Sequence, residues 1–204
     1  MEYVIAKRKL TAGGGTDWAA VSAAPIDREC WGTGRPDIHA EAKVCCDEEK
    51  LYVRLSSMEN DIRAEETGFY GMPCRDSCLE FFFAPASDDR YFNIEFNPNC
   101  AMFLGYGTGP DALCRLQTGA IPKMIFDPVT ERFDGGWQIA YSVPYSFIRI
   151  FFPDFSPKEG FSMRGNFYKC GDDTVKTHFY SWHPMPEDNK SFHNPKAFGK
   201  LIFA

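Results

Sequence analysis

Two neighbouring runs, Ser77–Ala84 and Arg90–Asn97, alternate side-chain type with a period of two. This alternation constrains the chain more than any other feature. In the first run Leu79, Phe81 and Phe83 alternate with Cys78, Glu80 and Phe82; in the second, Phe92, Ile94 and Phe96 alternate with Tyr91, Asn93, Glu95 and Asn97. Successive side chains of a strand point to opposite faces, so both runs read as strands with one apolar face. The intervening Pro85-Ala86-Ser87-Asp88-Asp89 supplies turn residues and predicts an antiparallel hairpin. A slip of one residue would exchange core for solvent. A turn centred at Ser87–Asp88 keeps the apolar sets together and pairs Phe81 with Ile94, Phe83 with Phe92, Glu80 with Glu95 and Phe82 with Asn93. Two carboxylates placed directly opposite each other repel. They call for a cation, a nearby Arg or Lys, or a ligand rich in donors.

Similar short runs recur along the chain: Tyr3–Leu10, Ile38–Cys46, Lys50–Ser57, Ala101–Tyr106, Ile121–Phe126, Trp137–Val143, Phe161–Lys169, His178–Trp182 and Lys200–Phe203. They are punctuated by 17 Gly and 14 Pro, with no internal repeat and no linker-like tract. Many short strands between turn signals predict an all-β fold, an antiparallel β-sandwich of jelly-roll type, in one domain over 1–204. One short helix is expected at Tyr145–Phe151, after Pro144. A 44% hydrophobic composition with 19 Phe is ample for a core without disulfides. The net charge of −6 argues against nucleic-acid binding, which needs a surplus of basic side chains. No run approaches the roughly 20 apolar residues of a membrane helix.

Trp137, Ile139, Tyr141 and Val143 alternate with Gln138, Ala140 and Ser142, and Phe161, Met163, Gly165 and Phe167 with Ser162, Arg164, Asn166 and Tyr168. If these strands share the hairpin's sheet, its polar face gathers Glu80, Glu95, Asn93, Asn97, Gln138, Arg164, Asn166 and Tyr168. Carboxylates, amides, a guanidinium and a phenol suit hydroxyl groups, which both donate and accept. The bland alternative is the solvated face of an antiparallel sheet. Trp182-His183-Pro184 leaves a strand for a Pro-rich loop, where binding residues tend to sit. Trp182 is expected either to stack on a sugar or to plug the end of the sandwich; Trp137 has core parity, and Trp31 fits either role.

The run Asp76-Ser77-Cys78-Leu79-Glu80-Phe81-Phe82-Phe83-Ala84-Pro85 resembles the acidic strand of family 9 carbohydrate-binding modules and their bacterial relatives. Tyr91–Pro98, Gly105-Tyr106-Gly107, the Trp137-to-Pro144 strand, Gly165–Asp172, His178–Trp182 and the Phe192–Gly199 element follow in the same order. The resemblance extends from about Pro25 onward. It implies a jelly-roll sandwich that grips a sugar, often at a chain end, between aromatic rings with charged and amide groups around them. Glu80 matches the family's acidic strand residue and Trp182 its late stacking tryptophan. The stacking aromatic that precedes the acidic strand has no Trp here, and Tyr70 in Phe69-Tyr70-Gly71-Met72-Pro73 is its substitute. Some members carry structural calcium, which the acidic loops Asp47-Glu48-Glu49, Asp88-Asp89 and Asp172-Asp173 leave open; no other cofactor is expected.

The residues expected to bind carbohydrate are therefore Trp182, Glu80, Glu95, Asn93, Asn97, Tyr70, Arg164, Asn166, Tyr168 and His183, with no catalytic or metal-ligating residue assigned. The rival reading is a retaining glycosidase using Glu80 and Glu95, whose carboxyls would lie about 5 Å apart; a third is a structural sandwich that packs against a partner. No Gly-x-Ser-x-Gly elbow is present, and Ala12-Gly13-Gly14-Gly15-Thr16 opens no strand-to-helix unit. The eight cysteines are scattered, Cys74 and Cys78 lack a second pair at zinc spacing, and the N-terminus has no secretory core. They read as reduced, buried thiols of a cytoplasmic protein.

Overall fold

The computed structural model describes residues 1–69, 71–117 and 122–204. Its strands are β1 (Glu2–Lys7), β2 (Ala24–Ile26), β3 (Arg28–Glu29), β4 (His39–Cys46), β5 (Lys50–Met58), β6 (Cys78–Ala84), β7 (Tyr91–Phe96), β8 (Met102–Gly107), β9 (Leu113–Arg115), β10 (Val129–Phe133), β11 (Gly136–Pro144), β12 (Ser162–Gly171), β13 (His178–Ser181) and β14 (Gly199–Phe203). Hydrogen bonding runs unbroken in the order β10-β11-β5-β4-β1-β14-β12-β6-β7-β8-β9, with β2 on β4, β13 on β12 and β3 on β13.

The path folds over at β1. Glu2–Ile5 pair in parallel with Lys200–Phe203 of β14, and Ala6–Lys7 in parallel with Cys45–Cys46 of β4. One strand therefore belongs to both layers of the sandwich. The other strand pairs among the described residues are antiparallel. The hairpin register is the one its alternation dictates: Glu80 opposes Glu95, Phe81 opposes Ile94, Phe82 opposes Asn93 and Phe83 opposes Phe92.

Between the layers, Leu79, Phe81, Phe83, Ile94 and Phe96 of one sheet meet Val44, Val53, Leu55, Trp137 and Ile139 of the other. Phe81 stacks on Phe83 and on Phe167, with ring centroids 4.8 and 4.9 Å apart. At one end of this core sits a buried ion pair. Lys169 of β12 reaches Glu59, just past β5, at 3.1 Å, and both side chains are fully buried. Trp137 Nε1–H and the Ser77 hydroxyl also donate to the Glu59 carboxylate, at 2.8 and 3.0 Å. Burial opposes the charge on Glu59, but Lys169, Trp137 and Ser77 overcome that penalty and hold its pKa below the usual carboxylate value. Lys169 also donates to the Cys170 carbonyl at 3.0 Å and to His178 Nε2 at 2.8 Å. The imidazole, whose Nδ1–H donates to the Lys176 carbonyl at 3.0 Å, stays neutral because burial and the adjacent ammonium lower its pKa to about 4.

Among the described residues two α-helices are present where one was expected. α2 (Tyr145–Phe151) matches the expectation, while residues predicted as a strand form α1 (Pro122–Phe126) instead. Pro122 takes the first helical position, where its missing N–H costs nothing; Ile121 lies outside the described residues. β10 gave no clear alternation because it is an edge strand with four of its five residues exposed.

Removing Lys169 should leave an uncompensated buried carboxylate. Lys169→Met is expected to destabilise the protein by about 3–5 kcal/mol, or roughly 6–20 °C in Tm for a chain of this size. Lys169→Met with Glu59→Gln should recover a large part of that loss in thermal denaturation. Equal Tm values for the single and double variants would show that the pair is not what links the layers.

Candidate functional site

The outer face of β6, β7 and β12 is not the open polar surface that its alternation suggests. The loop 183–198 lies across it and forms a second apolar cluster, in which Phe82, Tyr91, Tyr168, Phe192 and Phe198 are buried together. Several expected sugar-binding groups are used to hold this loop down. Asn166 donates to the His183 carbonyl at 3.0 Å and accepts from the His183 N–H at 2.8 Å. Tyr168 stacks on Phe192, centroids 4.0 Å apart, and its hydroxyl donates to the Phe192 carbonyl at 3.3 Å. Arg164 donates to the carbonyls of Pro195 and Asp88, at 3.1 and 2.6 Å. Arg164, Asn166 and Tyr168 share the face of Glu80, as their parity requires, but their polar atoms tie the loop to the sheet.

Beyond the edge of the loop the face opens into a cavity of about 440 Å3. Trp31, Phe103, Phe179 and Phe192 form much of its wall, and Glu80, Glu95, Cys74 and Cys170 border it. Trp31 and Gly32 both have positive φ, 62° and 71°. That conformation costs a Trp on the order of 1 kcal/mol. The indole is held there by donation to the Pro186 carbonyl at 3.1 Å and by packing on Phe179 and Phe192, at 5.5 and 5.3 Å.

The two acids at the floor are 2% and 6% exposed. Glu80 accepts the Cys170 thiol at 2.9 Å. Asn93 donates to Glu95 Oε1 at 2.8 Å, but Glu95 Oε2 has no hydrogen-bond partner. Opposite Asn93 the chain has Gly105, where a Cβ would overlap Asn93 Oδ1, so only glycine lets this amide lie flat against the sheet. Burial, and then the charge of Asp172, push Glu80 up to about 7 despite the Cys170 thiol and Lys169. Burial and the charge on Glu80 push Glu95 well above the ordinary range. Burial thus favours the protonated form of Glu95, which can donate as well as accept. Lys169 on the Glu80 side and Arg115 on the Glu95 side oppose the rise without cancelling it.

Three expected site residues stand elsewhere. Trp182 is 2% exposed and lies in the inter-sheet core, edge-on to Tyr3 and tilted against Phe167, centroids 6.3 and 5.6 Å away. It has no free face for a ligand. His183 follows it, binding Asn166 through its backbone, and is absent from the cavity wall. Asn97 organises the turn after β7, accepting from the N–H groups of Asn99 and Ala101 and donating to Asp76 at 2.7 Å. Tyr70 lies outside the described residues. The register of β12 with β13 decides the aromatic question: Phe179 opposes Cys170 and Tyr180 opposes Lys169. The ring delivered to the cavity is thus Phe179, while Tyr180 and Trp182 share the core parity. In the acidic loops Glu48, Asp88, Asp89 and Asp173 are paired with Lys7, Arg90, Arg164 and Arg75, while Asp172 borders the cavity. They do not converge into a calcium cage among the described residues. The one group of potential metal-binding side chains that does converge there is Cys78, Glu80 and Cys170, with ligand atoms within 4.8 Å of one another.

Residues 16–203 match the model of carbohydrate-binding family 9. The chain belongs to that family. Among solved structures, a protein from Bacteroides uniformis ATCC 8492 to which carbohydrate binding is ascribed is 24% identical, with a TM-score of 0.83 over 100% of this chain and 99% of its own. A family 9 module from Caldicellulosiruptor kristjanssonii, solved with glucose, is 14% identical, with a TM-score of 0.70 over 100% of this chain and 96% of that one. A structure with cellotriose from the same organism gives 14% identity and a TM-score of 0.68, covering 100% and 93%. No curated protein matches the chain at a significant level. The family 9 sandwich is thus shared over the whole length.

The raised pKa values have a signed consequence. A carboxyl that holds its proton more tightly folded than unfolded penalises the folded state as pH rises above its unfolded value, near 4.5, through its folded value. Glu95→Gln removes that penalty while keeping an acceptor for Asn93. In metal-free buffer, its Tm relative to wild type should rise between pH 5 and pH 8. A difference that stays flat across this range would mean that Glu95 ionises normally.

Proposed function

We propose that the chain binds carbohydrate without cleaving it, in the cavity between Trp31, Phe179 and the floor of β6 and β7. One observation carries this reading: a buried carboxyl with an unpartnered oxygen, Glu95 Oε2, stands at the floor of a cavity ringed by aromatic side chains. A pyranose offers apolar CH faces to rings and hydroxyls to such a group. The volume falls within the roughly 300–1,000 Å3 of small-ligand sites. It suits one or two sugar rings, hence a chain end rather than a continuous strand of polysaccharide. Family 9 membership supports the ligand class, and the neighbours solved with glucose and cellotriose supply the first probes. In this reading Glu95 takes the hydroxyl contacts and Trp31 supplies the stacking face sought in Trp182. Glycoside hydrolysis by Glu80 and Glu95 is disfavoured: the two acids rise side by side from one floor, and a hydrolase needs them on either side of the scissile bond.

Calorimetry with glucose and cellotriose should give saturable binding, with no reducing sugar released on long incubation. Trp31→Ala and Glu95→Leu are each expected to weaken binding about tenfold or more, close to 1.4 kcal/mol. Trp182→Phe should lower Tm and leave affinity unchanged. Undiminished binding in Trp31→Ala would move the sugar to another surface.

A further inference from the structure

Strand geometry gathers an unusual set of side chains at the cavity floor. Cys78 and Glu80 are two apart on β6 and so share a face, and β12 places Cys170 directly opposite Cys78. Directly opposed side chains have Cβ atoms about 5 Å apart, and diagonal neighbours remain within reach. Accordingly the two sulfurs and a Glu80 oxygen lie within 4.8 Å of one another, all three residues are buried, and both cysteines are free thiols. Cys170 Sγ is already 2.9 Å from Glu80 Oε1. A second observation at the same floor is independent of these three groups: Glu95, across from Glu80, is buried with Oε2 unpartnered.

We propose that Cys78, Cys170 and Glu80 form a three-ligand site for a thiophilic divalent cation, Zn2+ above all, with its fourth coordination position turned toward the cavity. Tetrahedral zinc with bonds of about 2.3 Å to sulfur and 2.0–2.2 Å to oxygen places its ligand atoms roughly 3.5–4 Å apart. The present spacing, from 2.9 Å between Cys170 Sγ and Glu80 Oε1 to at most 4.8 Å within the group, brackets that value. Two sulfurs and one carboxylate select zinc over calcium and magnesium, which take oxygen ligands. As each Zn–S bond forms, the thiol proton leaves to solvent, so the ion gains two thiolates and one carboxylate. Glu80 and Cys170 border the cavity, so water fills the open position, or the hydroxyl of a bound ligand. The site stands whether or not the cavity takes sugar.

The test uses the full chain, reduced and stripped with chelator, then titrated with Zn2+ or with Co2+ as a spectroscopic substitute. One equivalent should bind, and the Co2+ form should show a near-ultraviolet sulfur-to-metal charge-transfer band. Cys78→Ser and Cys170→Ser should each weaken Zn2+ binding at least about tenfold. Glu80→Gln should weaken it while keeping the band. Cys114→Ser, an exposed cysteine on β9, should change nothing. Trp31→Ala should also retain the metal, which separates this site from sugar binding. Zinc K-edge absorption on the wild-type protein needs no variant and should report two sulfur neighbours. No stoichiometric binding, none or four sulfurs at the edge, or a Cys78–Cys170 disulfide in metal-free protein isolated without reductant would each overturn the proposal.

Discussion

Strands β6, β7 and β12 are covered on both faces, and water cannot satisfy the polar groups they carry. A buried polar atom left alone costs roughly 1–3 kcal/mol, so each must find a partner within the protein. On the inner face Lys169 finds Glu59 and His178. On the outer face Arg164, Asn166 and Tyr168 find the backbone of the loop 183–198 or of the hairpin turn, and Glu80 finds a thiol. What remains is a short remainder that includes Glu95 Oε2 and Asn93 Oδ1. The candidate site is where this accounting fails to close, and the failure falls beside the cavity.

Parity made the hairpin legible. Alternation over eight residues on each side of a five-residue turn admits one register that keeps both apolar sets inward, and Glu80 meets Glu95 as that register requires. The same rule, carried one hairpin further, would have separated Phe179 from Trp182. The connection from β12 to β13 sets that parity, and Gly171–Thr177 carries no strong turn signal to fix it beforehand. The indole of Trp182 turns to the core, and Phe179, three residues earlier, faces the cavity.

The loop 183–198 was illegible for a different reason. It has no period, and beside the packing of Phe192 and Phe198 its grip on the sheet rests on side chains bonded to its backbone, which any sequence presents. Glu80, Glu95, Asn93, Arg164, Asn166 and Tyr168 share one face, which the loop buries although periodicity marks it as wet; Gln138, on β11, lies in the other layer, and Asn97 in the turn after β7. Convergence of Cys78 with Cys170 is likewise invisible in spacing, since 91 residues separate partners that the β6–β12 register sets side by side. Local motifs find zinc sites built on one hairpin; sites assembled across a sheet emerge only once register is known.

β1 has a consequence for how the molecule comes into being. It seals the seam between the layers by pairing Tyr3 with Leu201, residues 198 apart in sequence. Until 199–203 pair with it, β1 has no parallel partner on that side, and the edge of β12 that flanks the seam stands unprotected. Contacts this distant in sequence form slowly. Until that distant contact forms, the folding chain holds open strand edges at the seam, the state in which β-proteins are most exposed to self-association.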